Sequence, residues 1–252
     1  MPLYDTIKSV LDNPLMRVPR RYSFAFRCLV ARERILWPLY LPYVKWGQLK
    51  FENYGASRDE RIVTADTELV VDGFQGSANS FAAAQFKRCQ QSTVLFAHHM
   101  HSPTQIIHGV KRNIPVVVTI REPIGATVSL LRRWPHIDTG RAIQSYAKFY
   151  EKLAPHLSRM IVSPFHLTIS DLEQVFETVN RLHGTSFNRV TNESEKNPET
   201  DPQKIAMYRR MKDEKRAQIL LPSNAHWLRR AQSVYQLFED RSIELFGDSS
   251  SD

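Results

Sequence analysis

The 252-residue chain is expected to form a single α/β domain, a parallel sheet with helices on both faces. From residue 67 onward, short Val-rich runs alternate with segments of helical periodicity. The run VVVTI at 116–120 is uninterrupted, as in strands whose two faces are both covered. The length suffices for one sizeable core.

The first expected strand, 68–71, meets Gly73, Gly76 and Ser77 and gives way to an Ala-rich helix at 79–91. A turn of this kind aims backbone N–H groups and the positive end of the helix at one point, a place to hold an anion. Strand 93–97, helix 103–111 and strand 116–120 follow, and then helices at 124–134 and 141–153, the latter with Ile143, Tyr146, Ala147 and Tyr150 at helical spacing. A fourth strand is expected at 160–162. Ser170 and Asp171 open an amphipathic helix whose stripe of Leu172, Val175, Phe176, Val179 and Leu182 ends at Gly184. Residues 188–203 are polar and read as a mobile loop, and 204–246 as two helices parted near Pro222. The organisation is thus a core at 67–187 between an extension at 1–60 and the C-terminal helices.

Residues 1–46 hold eight basic side chains against three acidic ones, interleaved with eight aromatics. Two readings stay open for this stretch: a helical flap packed on the core, which buries Trp37 and Trp46, or a surface resting on anionic lipid. The net charge of +8 favours anionic partners of some kind, but no nucleic-acid motif accompanies it. Cys28 and Cys89 form no CxxC and no framework of spacings, which points to a reducing compartment. The N-terminal residues carry acids where a signal peptide would be apolar, and the run ILWPLYLPYV is broken by two prolines and is half of the roughly 20 residues a spanning helix needs. A cytoplasmic protein is expected, with membrane association at most peripheral.

Three segments end on one edge of the expected sheet: QGSANS after the first strand, HHMHSP after the second and REPIGATVS after the third. The first can cradle a phosphate through amides and the hydroxyls of Ser77 and Ser80, yet it lacks the GxxxxGK[ST] of a Walker A loop. The third places Arg121 and Ser129 where a second phosphate can take a charged bond and a hydroxyl. The second offers His98, His99 and His101, where an imidazole can take a proton from a hydroxyl. His99 and His101, two apart, can also be read as a zinc pair, although no third ligand is evident.

In this order and spacing the three motifs resemble the nucleotide-binding half of sulfotransferases that use 3′-phosphoadenosine 5′-phosphosulfate (PAPS), over Leu69 to about Leu153. The resemblance implies a P-loop-like α/β fold and sulfuryl transfer to a hydroxyl acceptor without a metal. It implies that Gln75, Gly76, Ser77, Ala78, Asn79 and Ser80 hold the 5′-phosphosulfate and that Arg121 and Ser129, with Pro123 in place, hold the 3′-phosphate. It also implies that His101, in HMHSP, is the base, and it puts His99 where the family has a lysine. Two departures stand out. The family's loop carries Lys or Arg where this chain has Gly76, so protonated His99, Lys87 or Arg88 would have to supply the charge. No Arg-Lys-Gly segment appears near the C-terminus, where the basic run 204–216 is the available replacement. The alternative that follows is a nucleotide-binding protein of the same fold with little catalysis. The acceptor is expected to be a small molecule, a glycolipid or a saccharide.

Overall fold

The structure, a computed structural model, describes residues 17–42, 44, 61–190 and 201–247. Four strands, β1 (Leu69–Gly73), β2 (Phe96–His98), β3 (Val116–Ile120) and β4 (Ile161–Pro164), form one all-parallel sheet in the order β2-β1-β3-β4. The helices among the described residues include α1 (Arg17–Arg32), α2 (Asn79–Cys89), α3 (Pro103–Lys111), α4 (Pro123–Arg133), α5 (Thr139–Leu153), α6 (Phe165–Ser170), α7 (Leu172–His183), α8 (Pro202–Ile219) and α9 (Ala225–Phe246). The expected α/β architecture is the one observed.

Side-chain alternation sorts the strands between two cores. Val70, Val116, Val118 and Ile120 pack with residues of α3, α4, α5 and α9. Leu69, Val71, Val117 and Ile161 face the other way, onto α2 and α7, where Phe86 meets the rings of Phe96, Phe176 and Phe187 at centroid distances of 5.2, 4.6 and 5.3 Å. Both faces are covered, which is why the strands read as unbroken apolar runs.

Several boundaries differ from expectation for local reasons. β1 runs on through Asp72 and Gly73, because their backbone keeps pairing with Val118 and Thr119 although the residue types suggest a turn. β2 begins only at Phe96 and takes in His98, which pairs with Val71. Asn188 and Val190 are held rather than loose: Asn188 N–H donates to Gln90 Oε1 at 3.0 Å, and Val190 is fully buried beside Phe187. The rest of the expected mobile loop, 191–200, lies outside the described residues, and α8 starts at Pro202.

The N-terminal stretch is a cap on the second strand's exit. Val30, Ala31, Tyr40 and Val44 form a small core with Met100, and Trp37 is half-buried against it. Tyr40 Oη donates to the Met100 carbonyl at 3.2 Å, Ser102 Oγ to Ala31 O at 2.5 Å and Thr104 Oγ1 to Arg32 O at 2.9 Å. The packed-flap reading accounts for these residues, while Trp46 lies outside the described ones. Phe26, Leu29, Ile35 and Leu39 remain exposed. Among the described residues no helix is long and apolar enough to cross a membrane.

Candidate active site

From β1 the chain leads to β2 on one side and, beyond it, to β3 on the other, so the loops leaving β1 and β3 flank the crevice where the strand order reverses. The histidine segment leaves β2 beside them.

The loop after β1 is fixed from below by a buried polar network. Tyr150 Oη, from α5, donates to the Thr119 carbonyl at 2.9 Å and accepts from Phe74 N–H at 3.2 Å. Asn79 Nδ2 donates to the carbonyls of Gly73 and Phe74 at 3.2 and 2.9 Å, and its Oδ1 accepts from Thr119 Oγ1. Gly73 has no room for a Cβ, which would run into the Thr119 carbonyl. Burial pushes the Tyr150 phenol well above its ordinary pKa, so it stays a neutral donor.

This network changes the roles of two residues expected to touch ligand. Ser77 is fully buried with its Oγ 3.4 Å from Tyr150 Oη, so its hydroxyl braces the loop from inside. Asn79 likewise spends its amide on loop carbonyls. What the loop offers a ligand is backbone: Gly76 (φ 94°) and Ala78 (φ 66°) adopt left-handed conformations, and Ala78 supplies no capping side chain to the first turn of α2. Gln75 is half-buried and lines a small cavity with His101.

Gly76 cannot simply be exchanged for a cation. A Cβ there would lie 2.7 Å from the Ala126 carbonyl and 3.0 Å from Ser129 Cβ, so α4 occupies the direction a side chain would take. The same closeness brings Ser129 beside the loop. Arg121 joins them: its Nη1 donates to the Gly76 carbonyl at 3.3 Å and its guanidinium lies 4.0 Å from the Phe165 ring centroid. Burial lowers the Arg121 pKa, with Glu122 opposing, and an anionic ligand would act in the same direction as Glu122. Gly76, Arg121 and Ser129 therefore meet at the sheet edge to which the topology was expected to bring their segments.

The histidine segment is strained. His99 (φ 57°) and His101 (φ 47°) both sit in the left-handed region, which typically costs about 1–3 kcal/mol per residue and persists where surroundings enforce it. His99 Nε2 meets Ser80 Oγ at 2.7 Å, its Nδ1 meets His98 Nδ1 at 2.6 Å, and its carbonyl accepts from Arg61 Nη2 at 2.8 Å. Desolvation, reinforced by His98, His101, Arg61 and Arg133, drives the His99 pKa down to about 2. His99 is neutral and cannot stand in for the missing loop cation. Lys87 and Arg88 are no better placed, being exposed in the last turn of α2, some two turns or about 12 Å from its N-terminus. Arg61 and Arg133 are the cations whose fields reach His99, and neither carries a sequence signal.

His101 Nδ1 lies 2.9 Å from the Gly73 carbonyl, which only accepts, so Nδ1 bears the hydrogen and Nε2 the lone pair. Asp72 Oδ1 is 3.4 Å from the same Nδ1, and the Asp72 side chain is only 2% exposed. Sequence reasoning did not single out Asp72. An unbroken β1 that puts an acid at an apolar-facing position was the available signal. Among the described residues no group of three His, Cys, Asp or Glu side chains is arranged to hold a metal ion. Neither Cys28 nor Cys89 is in a disulfide.

No protein-family model matches the chain, nor does any curated protein or solved structure.

Tyr150→Phe keeps the ring and removes the hydroxyl that Phe74 N–H donates to. It is expected to lower unfolding stability by about 1–3 kcal/mol, the cost of an orphaned buried donor. An unchanged urea midpoint would contradict the bracing role.

Proposed function

We propose that the protein moves a sulfuryl group from PAPS to a hydroxyl acceptor. The observation that carries this reading is the His101 imidazole, held by the Gly73 carbonyl with Nε2 as its basic nitrogen, beside the loop that follows β1 and the Arg121 and Ser129 side chains that close on Gly76. Arg121 and Ser129 hold the 3′-phosphate, and the amides of residues 75–80 hold the 5′-phosphosulfate. The acceptor oxygen bonds to sulfur as the bond from sulfur to the bridging phosphate oxygen breaks. The acceptor's proton passes to His101 Nε2, and adenosine 3′,5′-bisphosphate leaves with the electron pair. Positioning and charge stabilisation suffice, with no covalent enzyme intermediate and no metal. Arg61 and Arg133 supply the positive field that Gly76 does not.

The closure of the Gly76 position by α4 favours a second reading, a nucleotide-binding protein of the same fold with little turnover. Incubation with isotopically labelled donor and cell or lipid extract, followed by mass spectrometry for a labelled sulfate ester, separates the two. Transfer by the wild type and a loss of about 10²–10⁴-fold in His101→Ala, with nucleotide affinity kept, is the expected result. Full turnover in that variant would remove His101 as the base.

The N-terminal cap supports a membrane-held class of acceptor. Phe26 and Leu29 of α1 and Ile35 and Leu39 beyond it are exposed, as is the basic Arg34, while Phe24 and Cys28 of α1 line the cavity at His101. This combination suits peripheral contact with anionic lipid and an acceptor held at a membrane, such as a glycolipid or a saccharide. Full-length protein should co-sediment with phosphatidylserine-containing vesicles at low salt and release at high salt, each engaged basic residue contributing about 1 kcal/mol. Charge reversal by Arg34→Glu together with Leu39→Asp should reduce sedimentation. No sedimentation by the wild type would leave a soluble acceptor.

A further inference from the structure

We propose that Asp72 is the positioning residue of a carboxylate–histidine pair, holding His101 in its basic tautomer and stabilising the imidazolium that forms when Nε2 takes a proton. The inference rests on the reading of His101 as a base, but the pair itself is visible without any substrate. Asp72 sits in β1 opposite Val118 of β3, on the side of the sheet that Val70 buries in the larger core. An acid there disfavours a strand, and a buried carboxylate is costly unless it has a partner. Its Oδ1 accepts from the Gly73 N–H at 2.9 Å, whereas Oδ2 is buried and has no hydrogen-bond partner. Among the described residues, the ion-pair partner of Asp72 is His101.

The geometry gives the pair a direction. His101 Nδ1–H points at the Gly73 carbonyl with Asp72 Oδ1 half an ångström farther off, at 3.4 against 2.9 Å. The side chain of His101 is 22% exposed, so its ring lies between the buried acid and the outside. Around it stand neutral His99 of the same segment, Tyr150 of α5 behind Asp72, Arg61 and Arg133 near His99, and Arg32 of α1, which is tied to Glu33 by a bond of 2.7 Å. Glu33's charge is engaged by Arg32 and Lys152, which leaves Asp72 as the carboxylate at the ring. During transfer the proton leaves the acceptor hydroxyl, rests on Nε2 and goes no further; Asp72 remains ionised throughout. A purely structural Asp72, shaping the turn through its bond to Gly73 N–H, would leave the protonation of His101 unaffected.

The test is a nitrogen-15 NMR titration of the histidines in the full chain, without ligand, for wild type and Asp72→Asn. Asn keeps an oxygen for Gly73 N–H and removes the charge. The expected outcome is a neutral wild-type His101 protonated at Nδ1, and a proton affinity that falls by about tenfold or more in the variant, as for an opposite charge within 4–6 Å. With labelled donor, the acid limb of the pH–rate profile should move to lower pH by the same factor while the KM for PAPS holds. Should Asp72→Asn not fold, the carbon-13 signal of the Asp72 carboxyl in His101→Gln reads the reciprocal effect, a protonation midpoint moved upward. A His101 titration that is the same in both proteins, or an Asp72 midpoint indifferent to His101→Gln, would overturn the pair. Coupling in a protein that forms no sulfate ester upholds the pair and removes only the sulfuryl-transfer reading.

Discussion

The near-contact of Gly73 with Thr119 is the constraint on which the site depends. With no Cβ at Gly73, the ends of β1 and β3 close up, and the Gly73 carbonyl becomes the acceptor for both Asn79 Nδ2 and His101 Nδ1. One backbone oxygen thereby couples the loop that faces the sheet edge to the imidazole arriving from β2. Tyr150 secures the other side of the same junction by bonding Thr119 O and Phe74 N. A larger residue at Gly73 would part the strands and separate the loop from the histidine together.

Polar groups buried under the loop carry the shape, and those at its surface are left for a ligand. Ser77 and Asn79 belong to the first set even though their residue types suit a phosphate contact, because each finds a buried partner closer than solvent. Ser80 is exposed yet bonded to His99. Arg121 and Ser129, both partly exposed, stand at the Gly76 side of the loop. Electrostatics divides the histidines in a similar way: burial keeps His99 uncharged in the field of Arg61 and Arg133, whereas His101 has a carboxylate behind it.

Much of this was legible in the sequence. Helices 103–111 and 172–183 and strand 116–120 were bounded correctly, since periodicity, Asp171 at the start of its helix and Val-rich composition agree there. The meeting of Gly76, Arg121 and Ser129 was legible as well, because parallel topology forces strand ends to one edge. The inward turn of Ser77, the neutrality of His99 and the part of Asp72 were not. Each depends on what a residue 29 to 73 positions away does to its surroundings, as in the Asp72–His101 and Ser77–Tyr150 contacts, and local pattern carries no information about that. The extension of β1 past Val71 belongs to the same class, since Asp-Gly reads locally as a turn until β3 supplies a partner.

The central claim is that Arg121 and Ser129 select a nucleotide with a phosphate on its 3′ carbon. Calorimetric titration with adenosine 3′,5′-bisphosphate and with adenosine 5′-monophosphate tests it most directly. A charge-assisted bond of about 1.5–3 kcal/mol should make the bisphosphate bind about ten- to a hundredfold tighter, and Arg121→Ala should abolish that difference. Equal affinity for the two nucleotides, or a preference that survives Arg121→Ala, would contradict the account.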